Sequence, residues 1–565
     1  MSDLVVTHVQ NHAARSNFLL RTTAVRWLSL AFITVLLIVG PCAVGTGYAL
    51  ADTLVVCKSG CEYKTIKGAL DDAKPGDIVW VREGEYRERE PVRLRSGVRL
   101  QGEDPGHPEL TIIRAEAGNA VIGTGILLTT SCVLEGFTII GGNGRALFIQ
   151  DRTTEIIRNN IISGSSTSYQ GAGIRIQDAN TAPTIANNIF RDNSSSEEGG
   201  AIYIEDASPL IIGNTFINNH SGKNGGAIAI YMINAVRQQA TITNNVFISN
   251  TALANGGAIY LQGPEPPLHP LIQQWIQGNT IFSNTALAGA GIYANSYCRA
   301  IIADNLIAHN ATYGAGSHSV GGGLAITNHA DISAYNNIIY QNTARQGGDI
   351  YINNSMPNIV NNTILGSSIS HTVGIELLNS ARPRLANNII AFEAHGIRGD
   401  GTAVPIIRYN DLWMCTVAYS NVTPEPNNFS ADPRLRYPAN GDFHLDTESA
   451  LIDAASTDDA PSTDFDGEPR PMDGDGDGIS VADIGADEYN PLSATVTPTP
   501  TDTPTSTPTH TATSTSTPTA TSTNTPTATF TPLSTVTPTC SRTPRPPSFY
   551  IHLPIIWKQG VESTA

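Results

Sequence analysis

Positive charge is scarce in this chain. Its 565 residues hold 33 Lys and Arg against 50 Asp and Glu, a formal net charge of −17. A nucleic-acid binder needs a basic face to meet phosphate, so that class is excluded. Helical periodicity is also missing from the long central part. Its apolar segments are short, β-branched and bounded by Gly, Asn and Ser, which argues against leucine-rich and helical repeats.

What is present instead is a repeat. The stretch Gly199 to Asn219, GGAIYIEDASPLIIGNTFINN, recurs in variants, each anchored by the second residue of an Asn-Asn pair or its equivalent. The anchors are Asn160, Asn188, Asn214, Asn245, Asn279, Asn305, Asn337, Asn362, Asn388 and Asn410, at steps of 22 to 34 residues. Such a period signals a solenoid whose coils bury apolar faces against each other. Two columns point inward: Ile162, Phe190, Phe216, Phe247 and so on to Leu412, two after each anchor, and Ile157, Ile185, Ile211 and so on to Ile407, three before. A second strand follows about thirteen residues past most anchors, with Ile174, Ile202, Ile228, Ile259, Ile292, Leu324, Ile350 and Ile375 inward. Several short strands per coil, stacked about 4.8 Å apart, predict an all-β, single-stranded right-handed parallel β-helix.

Three polar or aromatic columns bear on chemistry. The anchor asparagines fit left-handed backbone at tight turns and an amide ladder between coils. A column with Asp151, Asp178 and Asp206 continues as Met232, Gly263, Ser296, Asn328, Asn354 and Asn379. It reads as turn capping or as a metal or carboxylate site. The residue after the inward Ile gives an outward stripe with Tyr203, Tyr260, Tyr293 and Tyr351. Those rings would stack a sugar chain, or serve as good strand formers pairing across the ladder.

The Gly-Gly-Ala-Ile copies at Gly199–Ile202, Gly225–Ile228 and Gly256–Ile259 alternate with Phe190-Arg-Asp-Asn193, Phe216-Ile-Asn-Asn219 and Phe247-Ile-Ser-Asn250. Together they resemble the paired repeats of chlamydial-type polymorphic outer-membrane proteins. More broadly, residues 62–490 resemble the pectate-lyase-like superfamily. That resemblance implies the fold, but the superfamily holds lyases, hydrolases, epimerases, adhesins and inert spikes, so it leaves function open. The family's hydrolase motifs have no match on a coil: Asp71-Asp72 falls in the N-terminal cap and Asp458-Asp459 in the tail. Its lyases need acidic calcium ligands beside a basic Arg or Lys. The basic residues here, Lys223, Arg382, Arg384, His395 and Arg398, read as solvated turn and loop residues with no acidic ligand set beside them.

The flanks divide into accessories. Residues 1–51 read as a secretory signal peptide or an uncleaved N-terminal membrane anchor, with Arg15, Arg21 and Arg26 before an uncharged run. Residues 52–76 form an N-terminal cap in which Ile66, Ala69, Leu70 and Ala73 share one helical face and Thr65 caps it. Cys57 and Cys61 are close enough for a loop-closing disulfide; Cys132 and Cys298 lie too far apart to meet and read as buried thiols. The β-helix proper is 77–420, and 421–490 resembles the closing segment of secreted β-helix proteins.

Within that segment Asp473, Asp475 and Asp477 match the first half of a calcium loop, with Asp483 arriving one residue early for the second. Calcium or a solvated acidic turn both fit. Residues 491–547 are a disordered Thr/Pro/Ser linker, on the order of 100 Å or more at roughly 3 Å per residue. Residues 548–565 carry a short apolar segment. The expectation is a secreted or cell-surface protein, non-catalytic, that binds polysaccharide or another surface and touches membrane only through its N-terminal segment. The alternative is a carbohydrate-active lyase, hydrolase or epimerase. Calcium is the only cofactor expected.

Overall fold

The computed structural model describes residues 51–122, 131–234, 237–264, 266, 273–314, 319–366 and 372–491. The signal or anchor, the Thr/Pro/Ser linker and the C-terminal apolar segment lie outside them. So do parts of the two loops at 263–270 and 311–322.

The apolar columns become the walls of a coil. Three parallel sheets of 14, 13 and 13 strands run its length, and a fourth of six two-residue strands fills one corner. In the first sheet Ile157, Ile185, Ile211, Ile242, Ile276 and Ile302 stand in register. In the second, Ile162, Phe190, Phe216, Phe247, Ile281 and Ile307 do the same. The third aligns Ile174, Ile202, Ile228, Ile259 and Ile292. All of these side chains are buried, each contributing roughly 1.5–3 kcal/mol. Phe190, Phe216 and Phe247 stack at 4.8 and 4.7 Å, matching the rise between coils.

The asparagine pairs divide their work between the two members. The first residue takes the left-handed turn, with φ of 54° at Asn159 and Asn187 and 55° at Asn244. The anchor then turns its amide inside. Each anchor Nδ2 donates to the next anchor's Oδ1, from Asn160 to Asn188 at 3.1 Å down to Asn410 to Asn428 at 3.1 Å. The left-handed conformation assigned to the anchors thus belongs to their neighbours, while the anchor side chain is turned into the interior. A second ladder runs five residues later through Asn193, Asn219, Asn250, Asn284, Asn310 and Asn342. Its signal was the repeated Phe-x-x-Asn.

At the N-terminal end, the sheet starts earlier than Ile78. Thr53–Val56 pairs with Ile78–Val81 as the first strand of the first sheet, and the helix Ile66–Asp72 follows it. Thr65 accepts from the Gly68 amide at 3.1 Å and caps that helix, which buries Ile66, Ala69 and Leu70. Cys57 and Cys61 are joined in a disulfide, while Cys132 and Cys298 are buried thiols. Among the described residues, no helix is long and apolar enough to cross a membrane.

The closing segment does two things. Asn428 and Phe429 add a last layer over Asn410 and Leu412. The chain then folds back along the coil, where the turn asparagines hold it: Asn336 donates to Thr463 O, Asn361 to Asp483 O and Gly485 O, and Asn387 to Ser456 O. Its own centre is an ion pair at 2.8 Å whose Arg470 side chain has no exposed surface and whose Glu488 side chain keeps 1%.

Candidate functional site

The tyrosine stripe points away from the core, yet three of its four rings are nearly closed off and only Tyr293 stays half-buried. Tyr203, Tyr260 and Tyr351 keep only 5%, 4% and 7% of their surface exposed. Ala229 separates Tyr203 from Tyr260 in the third sheet, and the ring of Tyr231 fills the gap it leaves. Centroids then follow at 5.4 Å from Tyr203 to Tyr231, 5.4 Å to Tyr260 and 5.8 Å to Tyr293. Tyr351 packs with Ala288, Val320 and Ala325.

The hydroxyls of Tyr260, Tyr293 and Tyr351 are also committed. Tyr260 donates to Gln262 at 2.7 Å and accepts from Asn295, and Tyr351 accepts from Asn353. Burial pushes the Tyr260 phenol up to about 12. A left-handed glycine turn closes over the stripe: a Cβ on Gly256 would meet that of Tyr260 at 2.9 Å. The stripe expected to offer ring faces to a sugar is therefore a packed wall. Neighbouring rings cover the faces that the alternation pattern left open.

The aspartate column takes the turn-capping role. Asp151, Asp178 and Asp206 have φ of 66°, 77° and 52°, and Asn328, Asn354 and Asn379 continue the same conformation. Asp206 accepts from the backbone and side chain of Asn234 at 3.1 to 3.2 Å. Beside these turns lies an open groove of about 550 Å³, lined among others by Arg175, Asp178, Glu205, Asp206, Arg237 and Gln238. Arg175 is fixed there by Glu205 at 2.8 Å, Gln177 at 2.8 Å and Gln170 at 2.9 Å. Asn234, Arg237 and Gln238 also line it, in the stretch where the repeat step lengthens to 31 residues between Asn214 and Asn245. This groove was not read from the sequence; that longer step beside Asp178 and Asp206 was its one available signal.

Lys223, Arg384, Arg398 and Arg408 are held in ion pairs. Arg384 and Arg408 converge on the buried carboxylate of Asp459, so of the Asp458-Asp459 pair it is Asp459 that docks the tail, while Asp458 is exposed. Arg398 forks onto Glu376 at 3.0 and 2.5 Å. Lys223 pairs with Glu197 on the surface.

The acidic loop splits the four aspartates assigned to calcium. Carboxylate oxygens of Asp473 and Asp475 come within 4.8 Å of one another and of Asp453, a residue twenty positions upstream that the loop pattern could not include. Asp477 accepts from the Ile479 amide at 2.7 Å and stays exposed outside this trio. Asp483 is turned inward, 1% exposed, accepting from the amides of Asp453 and Tyr489 at 2.7 and 2.6 Å. Burial, then the charge of Glu488, raises its pKa. It belongs to the interior of the closing segment because the chain has folded back by that point.

A right-handed β-helix family model, described as "Right handed beta helix region", matches residues 124–268. That match and the parallel sheets of the described residues agree on a right-handed parallel β-helix. Among solved structures the chain is similar to the PL6-family alginate lyase AlyGC, at 14% identity and TM-score 0.39 over 72% of this chain and 58% of that one. It thus spans less than two thirds of that lyase. The A-module of the mannuronan C-5 epimerase AlgE4 of Azotobacter vinelandii is similar at 15% identity and TM-score 0.30, over 65% of this chain and 95% of that one. Pectate lyase Pel9A is similar at 12% identity and TM-score 0.32, over 79% and 98%. No curated protein matches by sequence.

Proposed function

We propose that this is an exported, cell-surface β-helix protein that binds polysaccharide in the groove beside Arg175 and Arg237 and performs no chemistry on it. The groove carries the reading. Its volume of about 550 Å³ suits a small ligand or a few sugar units, and guanidinium, amide and carboxylate groups supply donors and acceptors for hydroxyls. Its wall includes three carboxylates, Asp178, Glu205 and Asp206, against two arginines. That balance disfavours a polyuronate and favours a neutral glycan.

The groups that could act as acid or base are already engaged: Asp206 caps a turn and Arg175 is tied to Glu205. The N-terminal segment supplies export, or the membrane anchor if retained, and the Thr/Pro/Ser linker separates the coil from what lies beyond it. Calcium would sit at Asp453, Asp473 and Asp475. A screen of neutral and acidic glycans with the full chain tests the reading, with product detection on every hit; binding of a neutral glycan without cleavage supports it.

A second reading has an observation of its own. Arg175 lies 2.8 Å from Glu205 in a groove that also holds Asp178 and Asp206, and carboxylates beside arginine are also a constellation for a lyase, hydrolase or epimerase. Release of unsaturated or reducing ends would favour it.

A further inference from the structure

The closing segment holds a second cluster that the groove does not involve. The strand Asp442–Leu445 pairs antiparallel with Leu435–Tyr437, which puts Asp442 and His444 on one side of it. His444 Nδ1 lies 2.6 Å from Asp442 Oδ1. Its Nε2 faces Asp466 Oδ2 at 2.9 Å and Asp487 Oδ1 at 4.0 Å. Asp487 is 8% exposed, and its other oxygen accepts the Leu445 amide at 2.8 Å, which steers Oδ1 toward the ring.

The nitrogen and the two oxygens lie within 4.8 Å of one another. They border a cavity of about 10 Å³, walled on its apolar side by Ile338, Phe443 and Phe465. That is room for about one water-sized sphere.

With Asp442 taking the Nδ1 proton, the ring would aim a lone pair at two carboxylates, so a cation belongs between them. A proton on Nε2 reaches Asp466 but leaves Asp487 Oδ1 beyond hydrogen-bond range. A metal ion uses all three. Tetrahedral ligands at roughly 2.0–2.1 Å from a metal stand about 3.3 Å apart, and the separations of 2.9 and 4.0 Å bracket that value. An imidazole with two carboxylates suits a first-row divalent ion, whereas calcium takes six to eight oxygens. Asp442 is then the carboxylate that orients a ligating histidine from behind. The His444 side chain is 40% exposed, which leaves an entry path.

We propose that His444, Asp466 and Asp487 bind one first-row divalent cation of the zinc class, with Asp442 as the positioning residue. The ion would pin three separate stretches of the folded-back segment over Ile338 of the coil.

The test is a calorimetric titration of the full, tag-free chain with Zn²⁺, and of the same chain with Co²⁺ followed by visible absorption. One equivalent should bind, with Co²⁺ bands of a nitrogen and oxygen ligand set. His444→Ala should abolish binding and the bands. Asp442→Asn should weaken binding about 10–100-fold. Asp453→Asn, which alters the separate acidic loop, should leave it unchanged. If the wild-type chain gives no stoichiometric binding and no bands, the site holds a proton and the proposal falls, whatever the variants do. It falls equally if a correctly folded His444→Ala, checked by circular dichroism, binds as the wild type does.

Discussion

The amide of Asn342 donates to the buried carboxylate of Asp349 at 3.0 Å, so the second asparagine ladder ends on an acid. Glu393, five residues past the anchor Asn388 and therefore in the ladder's own column, stands beside it. Gly366 makes the room: a Cβ there would come within 2.5 Å of Glu393 Oε1. Neither acid has exposed surface. Burial raises both pKa values, and at Glu393 the charge of Asp349 adds to the effect.

This pair predicts a pH dependence. The folded chain keeps protons that the unfolded chain releases above the ordinary carboxylate values of 3.8 and 4.5. The contribution is therefore full below those values, falls as pH rises, and levels off once the raised folded values are passed. Each retained proton gives a slope of about 1.4 kcal/mol per pH unit. Glu393→Gln should lose less stability than the wild type between pH 5 and pH 8, measured by urea midpoints. Parallel slopes in the two proteins would show that Glu393 is not the proton's holder.

The first ladder predicts a steep cost for a missing rung. Asn279 accepts from the backbone and side chain of Asn245 and donates to Asn305 Oδ1, all in the interior. Asn279→Ala leaves several buried groups unpaired, each worth roughly 1–3 kcal/mol. A loss of about 3 kcal/mol or more is expected from denaturant unfolding. Asn428→Ala, at the partly exposed end of the same ladder, should cost less.

Tyr260 should behave as a packing residue. Its ring lies between Tyr231 and Tyr293 and is 4% exposed. Tyr260→Ala should cost about 3 kcal/mol or more of stability, and Tyr260→Phe about 1 kcal/mol for the lost hydroxyl bonds. Neither correctly folded variant should change glycan affinity.

Calcium at the acidic loop predicts a thermal effect. Adding Ca²⁺ to the chelator-treated chain should raise its melting temperature, and Asp453→Asn or Asp473→Asn should remove that rise. An equal rise in wild type and variants would place the ion elsewhere.

The coil was legible because its signals are periodic. Ile and Phe recur where three sheets need inward side chains, and an Asn at every turn pairs with its copies above and below and with the carbonyls beside them. What the periodicity could not carry was the filling of the spaces between. Alternation makes Tyr203 and Tyr260 outward, but it does not say that Tyr231 will occupy the place of Ala229 and bury them. The acidic loop was read as a local motif, so it took in Asp483, which is adjacent in sequence but faces inward, and left out Asp453. His444, Asp466 and Asp487 come together only because the closing segment turns back on the coil, a contact no local pattern encodes.

The most direct test of the account is a calorimetric titration of the best neutral glycan from the screen into the full chain and two variants, with product analysis of each mixture. Binding by the wild type and by Tyr260→Phe, loss of at least about tenfold in affinity with Arg237→Ala, and intact glycan throughout are the predicted results. Unchanged affinity in Arg237→Ala would contradict the groove as the binding site, and cleaved glycan would contradict the non-catalytic reading.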